Sequence, residues 1–226
     1  MQLLSWNIQW CRGVDGRVDP QRIARVIREF ADADVICLQE VARGFDTLAG
    51  SAGEDQFALL AAEFAGFAAI EGIAVDVPDG RGGRRQFGNL LLSRLPVRQV
   101  WRHLLPWPGD ADHADMQRIA VEAVIEAPDV GELRVTTTHL GYYSAAQRLA
   151  QIDGLRTLHA RMRAHGENAQ RIAELLTRHP AVARVYYPGL AGHPGHDVAK
   201  RQQQGFGAMV SFELVGDVEN VKALLG

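Results

Sequence analysis

Residues 34–39 read Asp-Val-Ile-Cys-Leu-Gln, and Glu40 closes the run. A short, continuous apolar stretch of this kind is the pattern of a strand covered on both faces. Upstream of it, Asp19-Pro20 predicts a helix start, with Asp19 as the N-cap and Pro20 at the first helical position. Apolar residues at 23, 26, 27 and 30 keep helical spacing after that start. Upstream again, Gln2–Ile8 (QLLSWNI) reads as an opening strand, rich in β-formers and free of turn residues until Cys11-Arg12-Gly13. Strand, helix and doubly covered strand in succession predict an α/β chain.

Downstream, Gln56–Phe64 reads as a helix and Phe67–Val77 as a strand. Asp79–Arg85 (DGRGGRR) is a glycine-rich turn. Phe87–Ser93 and Val97–His103 read as adjacent strands around Pro96, followed by a polar loop over Trp107–Met116. Ile119–Glu126 and Glu132–His139 read as a hairpin. Ser144 caps a helix expected to run far beyond residue 152. Leu155, Leu158, Met162, Ala169, Ile172, Leu175 and Leu176 mark its apolar stripe, and His179-Pro180 ends it. A strand (Ala181–Tyr187), a Pro/Gly loop, a short helix (Asp197–Gln203), a strand (Ala208–Leu214) and a final helix (Asp217–Leu225) complete the chain.

With 226 residues, 47% of them hydrophobic, the chain has enough apolar material for a sizeable core, which excludes wholesale disorder. No uncharged apolar run approaches the roughly 18 residues of a membrane span, and the N-terminus lacks the basic region and cleavage site of a secretory signal. Cys11 and Cys37 make neither a disulfide framework nor a zinc spacing. A cytoplasmic protein without membrane partners is expected. The net charge of −3 is unevenly spread. Residues 1–152 hold 15 Arg, no Lys and 20 acids, a balance of −5. Residues 153–226 hold 9 basic residues against 7 acids, a balance of +2. A net-acidic first part does not attract long nucleic acid.

Three strand ends carry polar groups: Asn7 in SWNIQW, Glu40 in ICLQEV and His139 in TTTHL. Singly, each reads as a solvated strand end. As a set they mark the place where open α/β sheets bind ligands. Glu40 and Asn7 offer the carboxylate and amide oxygens that a hard cation such as Mg²⁺ prefers. A histidine beside them suits a phosphate oxygen and the charge that develops on it.

SWNIQW, DVICLQEV, GNLLLSRLPV and TTHLGYYSAAQRLAQI together resemble the successive motifs of the endonuclease/exonuclease/phosphatase superfamily over residues 2–152. The resemblance implies a two-sheet α/β sandwich and a Mg²⁺- or Mn²⁺-dependent phosphodiesterase or phosphatase. It implies Glu40 as main metal ligand, Asn7 as its neighbour and a catalytic residue, and His139 near the scissile phosphate. Asn89 is read as a phosphate contact or a turn-shaping residue, and Arg118 as a phosphate contact or an exposed strand residue. The substrate implied is a small or metal-bridged phosphoester ahead of long DNA.

The superfamily's later G-D-x-N and Ser-Asp-His motifs do not follow residue 152; Gly216–Asn220 (GDVEN) resembles the first only superficially. Residues 153–226, with PGL-xx-HP-x-H-xx-AKRQ-xx-GFG-xMVSFEL, resemble instead the C-terminal domain of the trans-sulfuration family of pyridoxal-phosphate (PLP) enzymes. That family's Schiff-base lysine belongs to an upstream segment absent here, Lys200 matches a different position, and no PLP-binding residue is assigned. His193, His196 and Lys200 read as a metal or phosphate cluster or as solvated groups of a turn. The expectation is therefore a chimera, an incomplete nuclease/phosphatase sandwich (1–152) followed by a small α/β segment (153–226). Phosphoester hydrolysis is expected to be weak or lost. The alternatives are a PLP-dependent carbon–sulfur enzyme fragment and a non-catalytic chimeric product.

Overall fold

The computed structural model describes residues 1–112, 115–128, 130–202, 205–216 and 218–225, without the side chains of 158–162, 218 and 223–225. It divides into two compact units, Met1–Leu155 and Arg156–Gly226.

The first unit opens with β1 (Leu3–Asn7), α1 (Pro20–Phe30) and β2 (Val35–Arg43). Asp19 is the N-cap of α1, its side chain accepting from the Arg22 N–H at 2.9 Å, and Pro20 occupies the first turn. Because α1 carries the chain back along the sheet, β1 and β2 pair in parallel. α2 (Gln56–Glu63), capped by Asp55, precedes β3 (Ala68–Pro78) and β4 (Arg84–Ser93). The first sheet has the order β1-β2-β4-β3, antiparallel apart from its first pair. β5 (Val97–Leu104), β6 (Ile119–Ala127) and β7 (Gly131–Thr138) form a second, antiparallel sheet.

The two sheets pack face to face and the helices cover the outer side of the first. Alternation along the strands shows why β2 must be apolar throughout. Ile36 and Leu38, with Leu90 and Leu92 of β4, pack against Ile23, Ile27, Phe57 and Leu60 of the helices. Val35, Cys37 and Leu91 point the other way, onto Val121, Ala123, Ile125 and Val135 of the second sheet. Each such Leu or Ile side chain contributes about 1.5–3 kcal/mol by leaving water. Gly72 in β3 permits the close approach of the sheets, since a Cβ there would collide with the Val121 side chain. The result is a two-sheet α/β sandwich.

Two expectations about the strands of the first unit need correction. β4 and β5 are not adjacent strands; the turn at Pro96 carries the chain from one sheet to the other. Glu40 does not close β2, which runs on to Arg43.

α3 (Ala145–Thr177), N-capped by Ser144, contributes its first turns to the first unit and the remainder to the second. The second unit adds β8 (Val182–Tyr186), α4 (His196–Gln202), β9 (Ser211–Leu214) and α5 (Val218–Leu225), with β8 and β9 paired antiparallel. Its core is Ala169, Ala173 and Tyr187, with Val185, Leu190, Phe206 and Val210 packed around them. The buried face of α3 here is therefore made of small residues that admit the tyrosine ring. Ile172 and Leu175, expected in the apolar stripe, are exposed. The side chains of Leu158 and Met162, from the same stripe, and Asp217 of GDVEN lie outside the described residues. His196 bonds the Pro188 carbonyl through Nδ1 at 2.7 Å and stacks on Phe206, and Lys200 is exposed on α4.

Candidate functional site

The site forms where β1, β2 and β7 end or break. After Asn7 the chain makes a left-handed turn through Gln9, Trp10 and Cys11, with φ of +48°, +43° and +60°. Left-handed backbone is unfavourable for residues with a Cβ, so this turn needs external support. Asn7 supplies part of it, its Oδ1 accepting from the Gln9 N–H at 3.1 Å. The rest comes from β2: the Ile8 N–H donates to the Gln39 carbonyl at 3.1 Å and the Trp10 N–H to the Glu40 carbonyl at 2.7 Å.

Glu40 is itself held at φ +60°. Gln39 pairs with Asn89 and Val41 with Gly88, leaving Glu40 as the unpaired residue of a β-bulge. A bulge re-aims a side chain that a regular ladder would point elsewhere. Here it turns the carboxylate toward His139, which follows the last residue of β7, and Glu40 Oε1 lies 3.2 Å from His139 Nε2. Gly88 opposite the bulge has no room for a side chain, because a Cβ would run into the Gly72 carbonyl.

Burial is the main influence on His139 and pushes its pKa below the usual imidazole value; Arg118 adds to this, while Glu40 and Asp115 oppose it. Burial thus favours the neutral ring, and a neutral ring set against the Glu40 carboxylate carries its proton on Nε2.

Arg118 reaches the same cleft from the start of β6. Its Nη2 donates to Asp115 Oδ1 at 2.6 Å, and both side chains are buried, 10% and 4% exposed. Asp115 also accepts from the Met116 N–H. Arg118 Nε and Asp115 Oδ2 have no protein hydrogen-bond partner among the described residues. Glu40, Asn89, Arg118 and His139 line one cleft, with Ala74 and Phe87 as its apolar walls.

Four of the five expected site residues thus come together. Asn7 lies one strand away, in register with Gln39, with its side chain exposed and its amide oxygen engaged by its own turn. Asn89 shapes no turn: it is buried within β4 and donates through Nδ2 to the Ile119 carbonyl of the second sheet at 3.0 Å. Arg118 is not exposed but buried.

Sequence reasoning missed Gln39, Asp115 and the polar first turns of α3. In α3, Gln147 Nε2 donates to the Pro108 carbonyl at 2.9 Å, and Arg148 Nη1 donates to the Gly141 and Tyr142 carbonyls. Gln151 accepts the Gly141 N–H at 2.8 Å. The available signal was Gln39 itself: a glutamine inside an apolar run has to find hydrogen-bond partners in the core.

A family model described as Endonuclease/Exonuclease/phosphatase family matches residues 4–170. The chain belongs to this family. A second model, described as Cys/Met metabolism PLP-dependent enzyme, matches residues 119–226, overlapping the first. The C-terminal part is similar to an L-methionine gamma-lyase of Fusobacterium nucleatum subsp. polymorphum, 53% identical over 74 residues, which are 33% of this chain and 19% of that one. It is also similar to the chloroplastic cystathionine gamma-synthase 1 of Arabidopsis thaliana, 54% identical over 68 residues, 30% of this chain and 12% of that protein. A solved cystathionine gamma synthase from Xanthomonas oryzae pv. oryzae is 58% identical over 34% of this chain and 20% of its own, with a TM-score of 0.32. The chain thus spans about a fifth or less of the length of these relatives. It joins an endonuclease/exonuclease/phosphatase-family portion to a segment similar to these PLP-dependent enzymes.

Among the described residues, no group of three or more His, Cys, Asp or Glu side chains could hold a metal ion. No described helix is long and apolar enough to cross a membrane.

Proposed function

We propose that the first unit binds a small phosphoester together with one divalent cation and hydrolyses it slowly. The observation that carries this reading is the cleft in which Glu40 and His139 stand 3.2 Å apart beside a buried arginine. A carboxylate suits Mg²⁺ or Mn²⁺, which keep several waters and take further oxygens from the substrate. Glu40 would hold the ion; Asn7, whose amide oxygen accepts from the Gln9 N–H, would reach it only by turning out of that hydrogen bond. The ion would supply Lewis-acid charge to the phosphoryl oxygens.

The chain's own residues do the rest. Arg118 offers positive charge to the phosphate, and Asp115 keeps the guanidinium in place. His139, neutral and protonated on Nε2, donates toward a phosphoryl oxygen as negative charge builds there. Asn89 holds the cleft wall through the Ile119 carbonyl and takes no proton. The G-D-x-N and Ser-Asp-His motifs do not occur in residues 153–226, and no residue of the cleft is assigned to activating water. General acid–base assistance is worth about 10²–10⁴-fold, and the slow turnover proposed here reflects a cleft to which no such group is assigned.

The test is a Mg²⁺ and Mn²⁺ titration of thermal stability with bis-p-nitrophenyl phosphate hydrolysis measured in parallel. Ligand that binds only the folded form raises the melting point. Metal should raise it in the parent and not in Glu40→Gln, with slow nitrophenolate release abolished by the same substitution. Equal shifts in both proteins would remove Glu40 as a ligand.

A second reading, PLP-dependent carbon–sulfur chemistry, draws on the match over residues 119–226. The residues present do not fit the cofactor: Lys200 lies on the exposed side of α4, and Lys222 is paired with Glu219 on the surface. An absorbance band of a lysine aldimine after adding PLP would revive this reading; its absence ends it.

A further inference from the structure

Three exposed aromatic rings, Trp107, Tyr142 and Tyr143, are left unused by the reaction chemistry. Tyr142 and Tyr143 are 75% and 61% exposed, and Trp107 is 50% exposed. The two tyrosine rings pack edge to face, with centroids 5.0 Å apart. Tyr142 is three residues beyond His139, so the chain holds their Cα atoms within about 11 Å of each other. A pair of large exposed rings such as Tyr142 and Tyr143 marks a recognition surface more often than a single ring does.

The loops that carry them are fastened. Arg148 grips the Gly141 and Tyr142 carbonyls and Gln151 takes the Gly141 N–H, which fixes the tyrosine loop. Gln147, on the same helical turn, holds the Pro108 carbonyl next to Trp107. Gly154, further along α3, lets the Pro106 ring approach closely, since a Cβ there would meet Pro106 Cδ at 2.8 Å. Both aromatic loops are thus anchored to the start of α3, and their rings are presented on backbone already ordered for contact.

We propose that Tyr142 and Tyr143, with Trp107, form a stacking rim that selects phosphoesters bearing a planar ring, a nucleotide-like class of ligand. The inference rests on the phosphoester reading of the cleft and adds its substrate class. Aromatic faces stack on any nucleobase without regard to its sequence. The −5 balance of residues 1–152 opposes a long polyanion or an anionic membrane surface. A single nucleotide, its phosphate neutralised by the cation and Arg118, meets no such barrier.

The test compares AMP with ribose 5-phosphate by isothermal titration against the full chain in Mg²⁺ buffer. The two ligands share the phosphate and the sugar and differ in the base. AMP should bind at least about fivefold tighter, the low end of what one stacked base contributes. In the Tyr142→Ala/Tyr143→Ala double variant that advantage should vanish while ribose 5-phosphate binds as before. The Tyr142→Phe/Tyr143→Phe variant should keep it. Equal affinities in the parent, or an AMP advantage that survives the alanine substitutions, overturn the stacking rim and leave the phosphate site standing. Binding of neither ligand overturns the phosphoester reading and the rim with it.

Discussion

Gln39 Nε2 donates to Thr137 Oγ1 at 2.8 Å, joining the two sheets of the sandwich through a buried hydrogen bond. The same amide group also faces Ser5 Oγ at 3.2 Å and the Cys37 carbonyl at 3.3 Å. Gln39 directly precedes Glu40, and Thr137 stands two residues before His139. The bond therefore sets the spacing of the two strands that bring the carboxylate and the imidazole together. Asn89, bonded to the Ile119 carbonyl, is a second tie between the sheets and lies in the cleft wall.

Breaking the Gln39–Thr137 tie is expected to weaken fold and site together. A buried polar group left without its partner costs about 1–3 kcal/mol. Gln39→Leu and Thr137→Val should each lower stability to urea by that amount, and the double variant by less than the sum. Both should also reduce the melting-point rise produced by Mg²⁺. Additive losses with an undiminished metal response would show that the bond does not govern the Glu40–His139 spacing.

The Arg118–Asp115 pair tests how much the cleft depends on a buried charge. Removing one partner of such a pair leaves the other uncompensated, at a cost of about 3–5 kcal/mol. Asp115→Ala should therefore be strongly destabilising in urea unfolding. Asp115→Leu combined with Arg118→Met, which removes both charges, should recover most of that loss while abolishing phosphate binding. A double variant no more stable than Asp115→Ala would contradict the account.

Both cysteines should be silent in the native protein. Burial raises the Cys11 thiol to about 12, with Glu54 and Asp19 adding to the effect, and burial raises Cys37 to about 11. The reactive thiolate is scarce at such values, so Ellman's reagent at pH 8 should label neither residue until urea is added, and then both. The raised values also set a pH window. These thiols favour the folded state fully below their unfolded pKa of about 9, and that contribution is lost as pH rises through about 11 and 12. Stability should fall across that alkaline range, and less steeply in Cys11→Ala/Cys37→Ala.

Local signals were legible in the sequence. Asp19-Pro20 starts α1 because an N-cap acceptor followed by a fixed φ carries the same meaning in any context. The doubly buried β2 could be read from 34–39 because only a strand covered on both faces stays apolar along its whole length. Long-range partnership was not legible. The residues of β4 and β5 suit one sheet as well as two, and the packing of the sandwich alone decides. Ile172 and Leu175 have helical spacing, yet Ala169 and Ala173 lie inward because the Tyr187 ring needs small neighbours. At the site, polar strand ends marked Asn7, Glu40 and His139 and the family resemblance added Asn89 and Arg118, while Gln39 showed only as a polar residue in an apolar run and Asp115 emerges only when separate segments converge.

The bulge at position 40 has an evolutionary corollary. Without that single residue, Gln39 and Val41 would continue an unbroken ladder against Asn89 and Gly88, and the sheet would lose its one left-handed interruption. Selection acting on foldedness alone would favour the shorter strand. The interruption is therefore the part of this sandwich whose persistence in a lineage would record use, and whose erosion would record disuse.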